Sequence, residues 1–328
     1  MRIAKLEPFN KVWVDCDTNR TLSLLMSVDQ KYEVLAYAND YEYYTGISKI
    51  DGYSFEYIAN QKRKIMQQRY CIREKVYADI SDEEFLAETK ENLRAGKCVI
   101  AAADLFYLVE GNVCYKKLHW AHYTLITEYC EESDLFKIFD DRNSEYVSYN
   151  ISKEDLLLAI HSCNLFPKAY VICLKDKFDF DNISSFDLAE NAYSTIRSIQ
   201  TGKRRNFWKL RDVDYIEKTY MDLEALFIKE IECRQICSRK LMDYLKKQLG
   251  RSEEPILDKL AGKFLYLESQ WKKIRQLLYR LYISEDHDKY LIKINEKTQH
   301  CLEEEETVWY EFARYLLSEI DPIIIKLQ

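Results

Sequence analysis

Glycine and proline are scarce in this chain, with seven and four among 328 residues. No GxGxxG or GxxxxGK[ST] run is present, so the sequence carries neither a dinucleotide fingerprint nor a phosphate-cradling loop. No apolar stretch reaches the ~18 residues that a membrane span requires. An excess of basic charge is also missing. The net charge is −7, which argues against nucleic acid or an anionic membrane as a bulk partner. Ten cysteines follow neither a disulfide-framework nor a zinc-ligand spacing. With no leader-like segment, the expectation is reduced thiols in a cytoplasmic protein that needs no metal or other cofactor.

What the chain does have is tyrosine, 26 residues of it, and a 47 % hydrophobic content that can bury a sizeable core. The length suits one large domain or two ordinary ones. Its character changes near residue 183, and the expected division is 1–178 and 179–328. The first part reads as mixed α+β. Asp15 or Asp17 caps a helix that turns Leu22, Leu25 and Met26 inward. Residues 32–44 read as strand or irregular, and 53–70 as helix. Ser81-Asp-Glu-Glu84 is a capping box for a helix that stops at Gly96. Residues 97–104 form a buried strand ending in Asp104. Strands follow at 123–129, 135–139, 145–149 and 168–174, with a helix opening at Ser152. The second part repeats apolar residues at helical spacing: Tyr220, Leu223 and Phe227; Ile256, Leu260, Phe264, Leu267, Trp271, Ile274 and Leu278; Val308, Trp309, Phe312 and Leu316. It reads as an antiparallel bundle whose apolar faces could also support a homodimer.

The chemistry concentrates between His119 and Asp141. Tyr123 to Tyr129 and Leu135 to Phe139 read as the arms of a β-hairpin. If Tyr129 pairs with Ser133, His122 stands opposite Asp140 on the same face; a change of parity would bring Asp141 there instead. A carboxylate beside an imidazole fixes its tautomer and raises its basicity. The nucleophile such a base would serve is Cys16, at the start of the first helix, where unpaired N–H groups and the helix dipole favour a thiolate. Asp15 and Asp17 oppose that effect, so activation requires a nearby imidazolium.

The run Cys98-Val-Ile-Ala-Ala-Ala-Asp104-Leu-Phe-Tyr107, the spacing Tyr115-x3-His119-x2-His122 and the pair Phe139-Asp140 together resemble a family of papain-like acyltransferases. These are the butirosin-type enzymes of natural-product biosynthesis, relatives of the bacteriocin-processing cysteine peptidases. Asp15-Cys16 resembles the Asp-Cys of the peptidase branch. The layout is also similar to that of amide-forming cysteine-protease homologues of closthioamide assembly. The resemblance spans roughly the first 175 residues. It implies an α+β papain-like fold and a Cys16-His122-Asp140 triad. It also implies an acyl carrier protein or phosphopantetheine thioester as donor and a small amine or diamine as acceptor. Asn10, six residues before Cys16, stands where papain-like enzymes carry the glutamine of the oxyanion hole. Asp17 replaces the glycine that follows the cysteine in the peptidase branch. The same triad could instead hydrolyse an amide or thioester.

Asp104, Tyr107 and His119 are candidates to line a substrate pocket. His119-x-x-His122 also invites a metal reading, but residues i and i+3 of a strand point to opposite faces. Cys233 and Cys237 share a helix face and read as packing. Lys203-Arg-Arg205 beside Phe207-Trp208 is either a solvated turn or a phosphate contact.

Overall fold

A computed structural model describes residues 14–38, 40–50, 53–63, 71–77, 81–108, 110–142, 145–165, 168–174, 185–204, 231–248 and 254–320, together with Leu6, Pro8, Phe9, Lys11 and Tyr220. The architecture is mixed α+β. Two compact units divide the chain, Met1–Ala36 with Gln67–Phe178, and Tyr37–Met66 with Asp179–Gln328. Residues 37–66, read in the sequence as part of the N-terminal domain, therefore belong with the helical unit.

The first unit opens with helix α1 (Cys16–Met26). Asp15 is its N-cap and accepts from the Thr18 N–H at 2.8 Å. Every residue from Thr18 to Leu25 is buried, so this is a helix enclosed on all sides rather than an amphipathic surface helix. Leu22 and Leu25 are buried as expected, while Met26 is only partly so. Polar side chains on α1 fasten the segment before it. The Asn19 amide bonds to both backbone groups of Lys11 and donates to the Val14 carbonyl, and the Ser23 hydroxyl accepts from the Phe9 N–H. A 3-10 turn follows at Gln30–Ala36.

One six-stranded antiparallel sheet fills the rest of this unit. Its strands are β3 (Cys71–Tyr77), β4 (Val99–Asp104), β5 (Ala121–Cys130), β6 (Leu135–Arg142), β7 (Glu145–Ser152) and β8 (Ala169–Leu174), in the spatial order β3-β8-β4-β5-β6-β7. Strand β4 is buried throughout because it lies inside the sheet, which explains its unbroken small apolar run Val99 to Ala103. Helix α2 (Asp82–Arg94) carries the full capping box, with Ser81 and Glu84 bonded reciprocally. Helix α3 (Lys153–Ser162) is capped by Ser152. Phe85 of α2 and Leu156, Ala159 and Ile160 of α3 share one core with Val99, Ala101, Ile126, Phe136 and Ile138 of the sheet.

The second unit joins a hairpin to helices. Strands β1 (Asp40–Ile50) and β2 (Tyr53–Arg63) pair in register from Asp40↔Arg63 to Ile50↔Tyr53. The helix expected over 53–70 is thus a strand through Arg63; residues 64–70 lie outside the described ones. Helix α4 (Ser185–Arg204) packs on β1, and the Tyr41 N–H donates to the Thr195 hydroxyl at 3.1 Å. Helices α5 (Cys233–Gln248), α6 (Pro255–Ile283) and α7 (His287–Ile320) complete the unit. Leu260, Phe264, Leu267, Trp271, Ile274 and Leu278 face inward at the expected spacing, whereas Ile256 is exposed and Leu257 takes the inner position. Leu223, Phe227 and Arg205–Trp208 lie outside the described residues. Among the described residues no helix is long and apolar enough to cross a membrane.

Candidate active site

The first unit places Cys16 at the N-terminal end of α1, partly exposed, with the His122 imidazole near enough to act on its thiol. Helix α1 packs against β5, and this contact closes a gap of more than a hundred residues in the chain. The other side of the imidazole is held. His122 Nε2 lies 2.9 Å from Asp140 Oδ1, and Asp140 is fully buried. With Nε2 turned to the carboxylate, Nδ1 is the nitrogen left for the thiol. The sulfur, ring and carboxylate therefore stand in the order that a nucleophile, its base and an orienting acid require.

Asp140 holds this place through an irregularity in the hairpin. Next to the turn, Cys130 pairs with Leu135 and Glu128 with Lys137. The register then shifts between Ile126 and Glu128, so that Ile126 pairs with Ile138 and Leu125 with Phe139. The extra residue is Thr127. Continued past this bulge, the register sets Thr124 against Asp140, on the same face as His122 by alternation. Without the bulge the partner of Thr124 would be Asp141. The expected pairing of Tyr129 with Ser133 is therefore corrected to Tyr129 with Phe136, and Asp140 shares the face of His122 because two offsets, a longer turn and a bulge, restore the parity.

Charge follows from this geometry. Burial pushes the Cys16 thiol up, but the hydrogen bond and positive charge of His122, with a hydrogen bond from the Tyr123 backbone, bring it below its ordinary 9.0; Asp15 works against them. Burial works against an imidazolium at His122, but the Asp140 carboxylate and the Cys16 sulfur outweigh it and raise the ring to about 10. Burial would raise Asp140, yet the Arg20 guanidinium and His122 hold it well below the usual carboxylate range. The three shifts all act in favour of thiolate, imidazolium and carboxylate.

Arg20 is the residue that sequence reasoning missed. It lies one turn beyond Cys16 on α1 and is 1 % exposed. Its guanidinium bonds the Asp140 Oδ1, the Tyr146 hydroxyl, the Tyr123 carbonyl at 3.1 Å and His122 Nε2 at 2.8 Å. The Tyr146 hydroxyl in turn donates to the Phe9 carbonyl at 3.1 Å. The only signal in the sequence was the i, i+4 spacing from Cys16, which no short motif marks.

Asp104 and His119 form a second pair at the adjoining strand end. The register sets Ala103 against His122 and Asp104 against Ala121. Asp104 Oδ2 is 2.6 Å from His119 Nδ1, and its Oδ1 accepts from the backbone N–H groups of Phe106 and Trp120, both at 3.0 Å. The buried carboxylate thus gathers both ends of the loop 105–120. Phe106 stacks on the His119 ring at 4.3 Å, and His119 remains mostly exposed. Tyr107 packs against the core beneath. The two histidines serve different carboxylates. Asn10 lies outside the described residues, as do the side chains of Asp141 and of Lys203 to Arg205. Cys233 and Cys237 are buried.

No family model matches this sequence, and no curated protein matches it.

Proposed function

We infer that the first unit is a papain-like catalytic domain and that the protein is a cysteine-dependent acyltransferase, joining an acyl group from a thioester to a primary amine. The observation that carries this reading is the grouping of Cys16, His122 and Asp140: a helix-end sulfur beside an imidazole whose Nε2 is 2.9 Å from a buried carboxylate. The Cys16 thiolate attacks the thioester carbonyl carbon. The tetrahedral intermediate collapses with loss of the donor thiol, which takes the proton from His122 Nδ1. A neutral amine then attacks the acyl-Cys16 carbonyl, His122 Nδ1 collects the amine proton, and the amide leaves as the Cys16 thiolate returns. The Cys16 N–H, first of the helix, receives the oxyanion; Asn10, the second donor suggested by its sequence position, lies outside the described residues. Asp104, Tyr107 and His119, at the strand end next to His122, are the candidates to contact the acceptor. The donor is a carrier-protein or phosphopantetheine thioester, and the acceptor is a small amine or diamine.

Incubation with candidate acyl thioesters, followed by intact mass, tests this. An acyl adduct on Cys16, absent in Cys16→Ala and discharged to amide when amine is added, supports transfer. Discharge to free acid with amine present assigns the same triad to a thioesterase or peptidase. Full turnover by Cys16→Ala refutes both.

A further inference from the structure

Two nitrogen groups compete for one oxygen at the centre of the site. Asp140 Oδ1 is bonded both by Arg20 and by His122, and the same Arg20 nitrogen stands 2.8 Å from His122 Nε2. These contacts are not all compatible with one protonation state. When Nε2 carries its proton, it donates to Asp140 and confronts the guanidinium as a donor facing a donor. When Nε2 is bare, it accepts from Arg20, but Nδ1 then carries the proton and cannot act as a base; the Asp140 carboxylate, accepting from Nε2–H, favours the other neutral tautomer. The imidazole is therefore poised between its carboxylate and a fixed cation that disfavours its charged form.

Acyl transfer asks two opposite things of this ring. In the free protein it must be an imidazolium beside a thiolate. In the acyl-enzyme it must be neutral, with Nε2–H on Asp140 and Nδ1 bare, to take the amine proton. Acylation removes the thiolate charge that favours the imidazolium, but the Asp140 charge remains. Resting on the acyltransferase reading, we propose that Arg20 is a positioning residue that takes up part of the Asp140 charge, so that His122 becomes a neutral base once Cys16 is acylated. The cluster is balanced for this. Cys16 and Asp140 are set against His122 and Arg20 in the free state, and Asp140 against Arg20 alone after acylation. Among the described residues, the charged and titratable groups brought to His122 include Asp15 at the cap of α1, Cys16 and Arg20 from α1, Asp140 from β6 and Tyr146 from β7 through Arg20; β4 presents Ala103. Arg20 is held by partners outside the triad, the Tyr123 carbonyl and the Tyr146 hydroxyl, which fix it independently of the protonation of His122.

The test uses Arg20→Met and Arg20→Lys in the full chain, with two readouts. The first is the pH profile of Cys16 alkylation, read by peptide mass, which needs no substrate. In Arg20→Met its upper transition moves to higher pH by roughly one unit or more, as expected for removing a cation within hydrogen-bond distance. Arg20→Lys keeps it near the wild-type position. The second is the steady-state level of acyl-Cys16 with thioester and amine at neutral pH. It rises in Arg20→Met, with amide formation about 10-fold slower while the acylation rate is retained. If Arg20→Met does not fold, Arg20→Gln, neutral but still able to hydrogen-bond, carries the same expectation. An upper transition unmoved in a folded neutral variant overturns the inference, as does an equal shift in Arg20→Lys. Absence of acyl-Cys16 in the wild type would count against the acyltransferase reading alone, because the alkylation profile still reports on Arg20.

Discussion

His122 Nε2 and Asp140 Oδ1 stand 2.9 Å apart because a single extra residue, Thr127, shifts the β5–β6 register by one. The two adjacent carboxylates are therefore not equivalent. Asp140→Asn is expected to lower turnover by roughly 10²- to 10⁴-fold, since the amide neither stabilises the imidazolium nor fixes its tautomer. Asp141→Asn is expected to leave turnover within about 3-fold, because an orienting acid acts only from the face that His122 shares. Steady-state rates of the two variants decide this; equal losses would contradict the bulged register.

Thiol reactivity offers a check without substrate. Cys16 should be alkylated at neutral pH, below the range of an ordinary thiol, because His122 supports its thiolate. Burial pushes Cys98 and Cys301 up to about 12, so these should stay unlabelled in the folded protein. Cys130 is exposed, and its thiol is lowered by hydrogen bonds from Ser133, so it should label too. His122→Ala separates the two: the Cys16 rate should fall by about 10-fold or more while that of Cys130 is unchanged. Peptide-resolved mass spectrometry measures both in one sample.

The pH dependence of stability follows from the signs of the shifts. Asp140 is depressed in the folded protein, so its contribution is present above the unfolded value of about 3.9 and is lost as pH falls through its lower folded value. His122 is raised to about 10, so its contribution is complete below about 6.5 and is lost as pH rises toward that value. Thermal melts should therefore fall off on both sides of neutrality. In Asp140→Asn the alkaline loss should be blunted, because the acid that raises His122 is gone.

Asp104 joins both ends of the loop 105–120 and binds His119. Asp104→Ala removes three hydrogen bonds to a buried carboxylate and should destabilise the first unit by about 2–4 kcal/mol. Proteolytic nicking within 105–120 should accelerate. His119→Ala removes only one of the three and should cost about 1 kcal/mol or less. Denaturant titration with trypsin digestion measures the difference.

In the helical unit, Arg234 and Glu305 form a two-pronged ion pair at 2.7 and 2.6 Å with side chains 1 % and 0 % exposed. Glu305→Ala should cost about 3–5 kcal/mol, because it strands a buried cation. The double change Arg234→Met with Glu305→Leu should recover most of that loss, which chemical denaturation can measure.

Much of this molecule was legible where neighbours in sequence act on one another. Asp15 beside Cys16, Ser81 with Glu84, and Ser152 ahead of α3 announce helix starts by side chains that bond a few residues on. The stripe from Leu260 to Leu278 announces a buried helix face through its period. Strand β4 was legible from an apolar run that only an interior strand accepts. The segment 53–63 was misread because its apolar and aromatic residues fit a helix as well as a strand. The better signal was Asp51-Gly52 between two β-prone runs, a two-residue hairpin connection. Local preference is weak there, and pairing with β1 decides.

The sequence by itself determined the ingredients: a capped helix carrying a cysteine, a hairpin with a histidine at one end and two acids at the other, and a helical second half. Those depend on contacts within a few residues, which composition and spacing encode directly. Tertiary structure alone decided which acid meets the imidazole, since one bulged residue reverses the parity of a strand. It alone decided that Arg20 is buried against Asp140, and that residues 37–66 join the helices rather than the sheet that follows them in the chain. Such outcomes rest on pairings across tens to hundreds of residues, where a shift of one position changes every partner and leaves no mark on local pattern.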